Sequence, residues 1–216
     1  MTPLGGHAWG VNDTTWLHDE SQPDPVHVRT IRTAVYEDGA FFEVNGTLVD
    51  ERPWADGVDK PRLIHSMELR LKVDRASLVI TAAAARMHNF PHAECPSITA
   101  AFEGLVGMSI ARGYTREVQE RFGRVKGCSH LEFLARAVGP VVIQAIPSSA
   151  SRDDDPQAVG ESVRGGGWLA NTCHLWAEGG VGATKLDEGW RPGLGEYPAP
   201  SLVEIRARKA AGQPIS

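Results

Sequence analysis

The residues best suited to chemistry lie side by side at the start of a predicted helix. Cys128 and His130 flank Ser129, and Glu132 follows that serine by three positions. This spacing is typical of a capping box, in which each side chain accepts a hydrogen bond from the other residue's backbone N–H. The positive end of the helix dipole then favours a thiolate at Cys128 and a neutral imidazole at His130, as nucleophilic or metal chemistry requires. The alternative is a small buried cysteine beside a histidine that binds a backbone carbonyl.

A second pair of residues could complete a metal site. His92 and Cys95 are separated by two residues, and with Cys128 and His130 they supply the nitrogen and sulfur ligands of a structural zinc site. An open site would keep Cys95, Cys128 and His130 as ligands and leave one position for substrate. We expect that no cofactor is needed, with zinc as the alternative.

His65 is a further candidate for proton transfer. It begins a face that Met67 and Leu71 continue, so its side chain is expected to point towards the core. A histidine in this position is either a hydrogen-bonded core residue or a catalyst at the end of a strand, where an ordinary pKa of about 6.5 suits proton transfer. We therefore predict His130, His65 and Cys128 as the catalytic residues.

A cluster near the C-terminus suits the binding of a planar ligand. Trp168 and Trp176 lie on either side of Cys173 and His174. Aromatic rings can form the floor of a pocket, or the same segment can pack over the sheet edge through its tryptophans. We predict Cys95, His174, Trp168 and Trp176 as substrate-binding residues.

The elements that must position these residues are strands first and helices second. Alternating or β-branched patterns predict four antiparallel strands, at residues 26–36, 40–51, 65–73 and 76–89. Helical spacing predicts helices at residues 97–107, 114–123, 129–146 and 201–212. Pro140 is expected to kink or split the third helix. The predicted fold is therefore α+β, an antiparallel β-meander followed by helices packed on one face.

The chain divides into three predicted segments. Residues 1–25 are polar and lack a sustained period, so they are expected to form an N-terminal arm. Residues 26–176 form the core domain, and residues 177–216 form a C-terminal extension.

Several motifs of the core follow one another in the order known from one family. They are Met67-Glu68-Leu69-Arg70, Pro91 to Pro96 with Cys95, Leu105-Val106-Gly107, Gly127-Cys128-Ser129-His130-Leu131, and Thr172-Cys173-His174. Together they resemble a bacterial family called domain of unknown function 2889, from about Val26 to Trp176. Ser129 stands where that family usually has threonine, and His92 where it usually has an aromatic residue. The resemblance implies a fold and a pocket, without an established activity.

Composition excludes several classes of function. The 216 residues carry a net charge of −5, which argues against nucleic acid and anionic lipid as partners. No apolar run approaches the roughly 20 residues of a membrane span. The N-terminus lacks a signal-peptide pattern, and the three cysteines are an odd number, so a cytoplasmic protein without disulfides is expected.

These observations predict a small-molecule enzyme that uses acid–base chemistry, either without a metal ion or assisted by one. A lyase or decarboxylase acting on an aromatic substrate, or a hydrolase, fits the absence of nucleotide-binding motifs and the six tryptophans. The alternative is a ligand- or metal-binding module without turnover. A third hypothesis is an interaction protein, and the exposed edge of a meander also favours a homodimer.

Overall fold

The computed structural model describes residues 25–152, 170–191 and 198–215. Four strands form one antiparallel sheet in sequence order, which confirms the predicted meander. They are β1 (Val28–Asp38), β2 (Phe41–Glu51), β3 (Leu63–Asp74) and β4 (Ile80–Asn89). The predicted N-terminal arm lies, except for its last residue, outside the described residues.

Alternation along the two central strands explains why one face of the sheet is buried. Successive side chains of a strand point to opposite faces, and here every second residue is apolar. The buried side chains of that face are Phe42, Val44 and Leu48 of β2 and Met67, Leu69, Leu71 and Val73 of β3. Polar residues such as Glu43, Arg70 and Lys72 lie on the opposite face. The helices pack on this face chiefly because its apolar surface must be covered by another layer. The sequence pattern of the helices accounts for the packing only in part.

The helices follow the sheet, as predicted. The first is a 3-10 helix at Cys95–Leu105, in place of the α-helix expected at 97–107. The α-helices are α1 (Tyr114–Phe122), α2 (Ser129–Arg152), α3 (Val181–Asp187) and α4 (Leu202–Ala210), with a short 3-10 turn at Arg124–Lys126 before α2. Within the described residues, no helix is both long enough and apolar enough to cross a membrane.

The long helix α2 covers the middle of the sheet. It contains Pro140 and Pro147, and it is not split at Pro140, because packing against the sheet offsets the hydrogen bond that proline removes. It packs closely against Gly46 of β2. A methyl group added to Gly46 would lie only 2.7 Å from Cγ1 of Val138. The absence of a side chain at this position therefore sets the distance between α2 and the sheet.

Two groups of buried residues hold the chain together. The main core joins the inner face of the sheet to the 3-10 helix, α1 and α2. A smaller group contains Leu186, Trp190 and Ile205, and Ile143 of α2 packs against both groups. Because α3 and α4 contribute to the smaller group, the C-terminal segment is attached to the core through α2. The division into three segments stays a prediction.

Candidate functional site

A row of polar side chains crosses one end of the sheet on its otherwise apolar face. Arg29 of β1 is directly opposite Asp50 of β2, and Asp50 is directly opposite His65 of β3. The register between β2 and β3 shifts immediately after this pair. Irregularities of this kind are common next to functional sites, where they redirect a side chain.

Asp50 is the centre of this row. Its side chain is only 1% exposed, although it is a carboxylate and not an apolar group. Arg29 donates two hydrogen bonds to it, from Nε to Oδ1 at 2.7 Å and from Nη2 to Oδ2 at 2.8 Å. His27, just before β1, places Nε2 at 3.3 Å from Oδ1. The fork of Arg29 therefore fixes the position and orientation of the carboxylate.

Strand β3 and helix α2 each bring one more histidine to the same carboxylate. His65 Nδ1 lies 3.0 Å from Oδ2 of Asp50, and His130 Nε2 lies 3.4 Å from the same oxygen. The two imidazole rings are 3.8 Å apart between centroids and are tilted by 33°. His65 is 15% exposed and His130 is 22% exposed, so both imidazoles are partly accessible to solvent.

Cys128 touches the other edge of the His130 ring. Its Sγ lies 3.8 Å from Nδ1 of His130, and the side chain is half-buried. The carbonyl of Cys128 accepts the hydrogen bond from the N–H of Glu132 at 2.8 Å. The Glu132 carboxylate binds Arg136 instead of closing the predicted capping box. A capping box does form elsewhere, between Ser201 and Glu204 at the start of α4.

The electrostatics of the cluster favour a charged carboxylate and a neutral imidazole. Burial raises the pKa of Asp50, but hydrogen bonds and charge from Arg29, with further hydrogen bonds from the histidines, lower this pKa to about 2. Burial and then the nearby His65 lower the pKa of His130 from its ordinary value, against the attraction of Asp50. The direction agrees with the neutral imidazole that the sequence predicted, but burial, and not the helix dipole, is its largest cause.

Asp50, His65 and His130 form a group that could hold a metal ion. One donor atom from each residue lies within 4.8 Å of the others. Cys95 and Cys128, which the sequence favoured as ligands, are not members of this group. The distances from Asp50 Oδ2 to the two nitrogens are close to the roughly 3.3 Å that separates neighbouring ligands of a tetrahedral zinc with bonds of about 2.0–2.1 Å.

The structure brings together the three predicted catalytic residues His130, His65 and Cys128. Those predicted substrate-binding residues that the structure describes lie elsewhere. Cys95 packs half-buried against the main core, and Cys173 and His174 are exposed in a turn. Trp176 packs against the smaller hydrophobic group. His92 is exposed, and Trp168 lies outside the described residues.

Sequence reasoning missed Asp50, Arg29 and His27. A signal for Asp50 was present, because it falls on the same alternating face as Val44 and Leu48 and is the charged residue of that face. A charged side chain on an apolar face is buried only with partners. Its partners could be found only from the strand register, which the sequence alone does not determine.

The fold and the cluster define an α+β protein with a histidine–carboxylate centre at one end of an antiparallel sheet. Residues 27–144 match the family described as Protein of unknown function (DUF2889). The chain belongs to this family, and the matched range contains every member of the cluster around Asp50. No curated protein and no solved structure matches the chain significantly.

Proposed function

We propose that the chain is a small-molecule enzyme whose acid–base chemistry is assisted by a divalent metal ion, zinc being the first candidate. The ion would be bound by Asp50, His65 and His130. The observation that carries this proposal is the convergence of two imidazole nitrogens on one carboxylate oxygen.

Counting lone pairs supports a cation at this point. Oδ2 of Asp50 has two lone pairs, and Arg29 Nη2 occupies one of them. One lone pair then remains for both His65 and His130, and it cannot accept a full hydrogen bond from each. A metal ion would bind the oxygen and both nitrogens at once, which a second hydrogen bond cannot do.

Neighbouring residues fit the supporting role that metal ligands require. Ligands of a metal site are normally held by further hydrogen bonds that fix their orientation. Arg29 binds both oxygens of Asp50, and Cys128 lies against the second ring nitrogen of His130. Three protein ligands, with both imidazoles partly accessible to solvent, match a catalytic site, which keeps a position for water or substrate.

The proposed reaction is of lyase, decarboxylase or hydrolase type. A bound zinc ion lowers the pKa of its water ligand to about 7 and polarises oxygen atoms of the substrate. An aromatic substrate is proposed from the tryptophan content, and Phe133, 39% exposed beside Arg29, supports it by offering an apolar surface at the cluster.

A metal-binding module without turnover is the second candidate. The near-complete burial of Asp50 and the limited exposure of both histidines favour it, since a structural site needs no access for substrate. The two candidates share the same ligands, so the first experiment is common to both.

Zinc binding to chelator-treated protein, measured by isothermal titration calorimetry, tests the proposal. We expect one zinc per chain in the wild type. His65→Gln and His130→Gln each replace a proposed direct ligand. Loss of a residue that only hydrogen-bonds to a ligand weakens metal binding by up to about 100-fold, so each of these variants should weaken zinc binding by more than that. His130→Gln should also fold normally, within about 1 kcal/mol of the wild type.

His88→Gln is the matched control. His88 also contacts a carboxylate, with Nε2 at 2.9 Å from Oε2 of Glu68, but on the opposite face of the sheet. This variant should bind zinc like the wild type. Zinc binding that survives His130→Gln, or that is lost equally in His88→Gln, would contradict the proposal. Turnover of candidate substrates by the zinc-loaded protein then separates the enzyme from the binding module.

A further inference from the structure

Arg29 has more hydrogen-bonding capacity than Asp50 uses. A guanidinium carries five N–H groups, and two of them bind the carboxylate of Asp50 through Nε and Nη2. Nη1 makes no hydrogen bond within the described part of the chain, and the side chain is 34% exposed. The edge of the guanidinium that Asp50 does not bind, between Nη1 and Nη2, is therefore available to a second anion.

The orientation of this edge is fixed before any ligand arrives. Asp50 holds one edge of the guanidinium. The ring of Phe133 lies against the guanidinium, with 5.6 Å between the ring centroid and Cζ of Arg29. Arg136 contacts the same ring at 5.6 Å and is itself paired with Glu132. A guanidinium held in this way binds a planar anion through two parallel hydrogen bonds at a small cost in conformational entropy.

The charge of the occupied site also favours an anion. The charged and titratable groups that act on His130 are Asp50, Arg29, His27 and His65. An imidazole that binds a metal ion is neutral, and the charges of Asp50 and Arg29 cancel. A divalent ion then leaves a net charge of about +2 at a partly desolvated position, and the ion dominates the local field. An anionic group of the substrate would reduce this charge.

We infer that the substrate is a small organic carboxylate whose carboxylate group binds the free edge of Arg29 beside the metal position. This inference rests on the proposed function for its location and for the charge of the metal ion. It names the substrate class of that site and identifies Arg29 as a substrate-binding residue as well as the partner of Asp50.

Benzoate, benzamide and phenyl phosphate are the probes, titrated into zinc-saturated protein by calorimetry. Benzamide has the shape of benzoate without its charge, and phenyl phosphate carries a tetrahedral anion. We expect benzoate to bind at least tenfold more tightly than either. Equal binding of benzamide, or tighter binding of phenyl phosphate, would overturn the assignment of a carboxylate.

Arg29→Lys keeps the positive charge that Asp50 needs but removes the planar fork. At saturating zinc it should weaken benzoate binding at least tenfold. The control is Arg32→Lys, the same change on the same strand but on the opposite face of the sheet, and it should leave benzoate binding unchanged. Undiminished binding in Arg29→Lys, confirmed as folded by circular dichroism, would overturn the role of Arg29.

The experiments distinguish a failure of the proposed function from a failure of the proposed substrate class. If the protein binds no zinc, the proposed function is wrong, and benzoate is then titrated into the zinc-free protein. Binding that Arg29→Lys weakens would still support the carboxylate site, and no binding would overturn it. If zinc binds and benzoate does not, the proposed function stands and the substrate class is wrong.

Discussion

Asp50 is the single residue on which the candidate site depends, because it places a charged group on the apolar face of β2. It occupies a position of β2 where alternation demands an apolar side chain, and it is nearly inaccessible to solvent. Burying a lone carboxylate is very unfavourable, so the fold must supply partners. Arg29 on one side and His65 on the other supply them through strand register.

Replacement of Asp50 by asparagine should therefore destabilise the protein. Asp50→Asn keeps the shape of the side chain but removes the charge that Arg29 pairs with. Breaking a buried pair costs about 3–5 kcal/mol, and because Arg29 is one-third exposed and can be rehydrated, we expect about 2–3 kcal/mol. Urea unfolding measures the loss.

Glu68→Gln is the control for this substitution. Glu68 also binds an arginine and a histidine, Arg70 and His88, but on the solvent-facing side of the sheet. The Glu68 side chain is 13% exposed, but its partners Arg70 and His88 are 69% and 46% exposed. Ion pairs with solvent-exposed partners contribute about 0–1 kcal/mol, so this variant should lose less than about 1 kcal/mol. Equal losses in the two variants would mean that Asp50 is no more important to the fold than a surface carboxylate.

At the scale of the elements, Gly46 connects the packing of α2 with the geometry of the cluster. Gly46 and Asp50 point to the same face of β2, and the helix that rests on Gly46 through Val138 carries His130 at its first turn. The depth at which α2 sits on the sheet therefore sets the distance between His130 and Asp50.

Adding a methyl group at Gly46 should disturb both stability and the site. Gly46→Ala places Cβ within 3.2 Å of Cδ1 of Leu134 and still closer to Val138, so these side chains and the helix that carries them must shift. Overpacking of this kind costs about 1–3 kcal/mol, and zinc affinity should fall because the donor atoms of His130 and Asp50 separate. Urea unfolding and zinc calorimetry measure these two effects.

Gly104→Ala is a suitable comparison, because its added methyl group would lie 3.5 Å from the ring of Phe122, an ordinary contact. It should change stability by less than about 0.5 kcal/mol and leave zinc affinity unaltered. If Gly46→Ala behaved in the same way, the close contact between α2 and β2 would not control the site.

The elements themselves were largely predictable, and the contacts between their ends were not. Local alternation identified all four strands, and helical spacing located α1, α2 and α4. The capping box expected at Ser129 is absent: the N–H of Glu132 binds the carbonyl of Cys128, which places Ser129 inside the helix, and the carboxylate of Glu132 pairs with Arg136. His65 and His130 were identified separately, but their stacking depends on where α2 crosses the sheet.

At the scale of the whole molecule, the three cysteines are spread over the fold and no disulfide joins them. Cys95 and Cys128 are half-buried, and Cys173 is exposed. Thiol titration of the protein unfolded without reductant should therefore give three thiols per chain. A value of one thiol would mean that two of the three cysteines are paired in solution, and would contradict the free thiols of the structure.

Zinc K-edge X-ray absorption of the zinc-loaded protein tests the central claim most directly, because it reports which atoms bind the metal. The ligand set Asp50, His65 and His130 predicts only nitrogen and oxygen neighbours at about 2.0–2.2 Å, with the outer-shell scattering of two imidazole rings. A sulfur neighbour at about 2.3 Å would instead assign the metal to the cysteines and contradict the account.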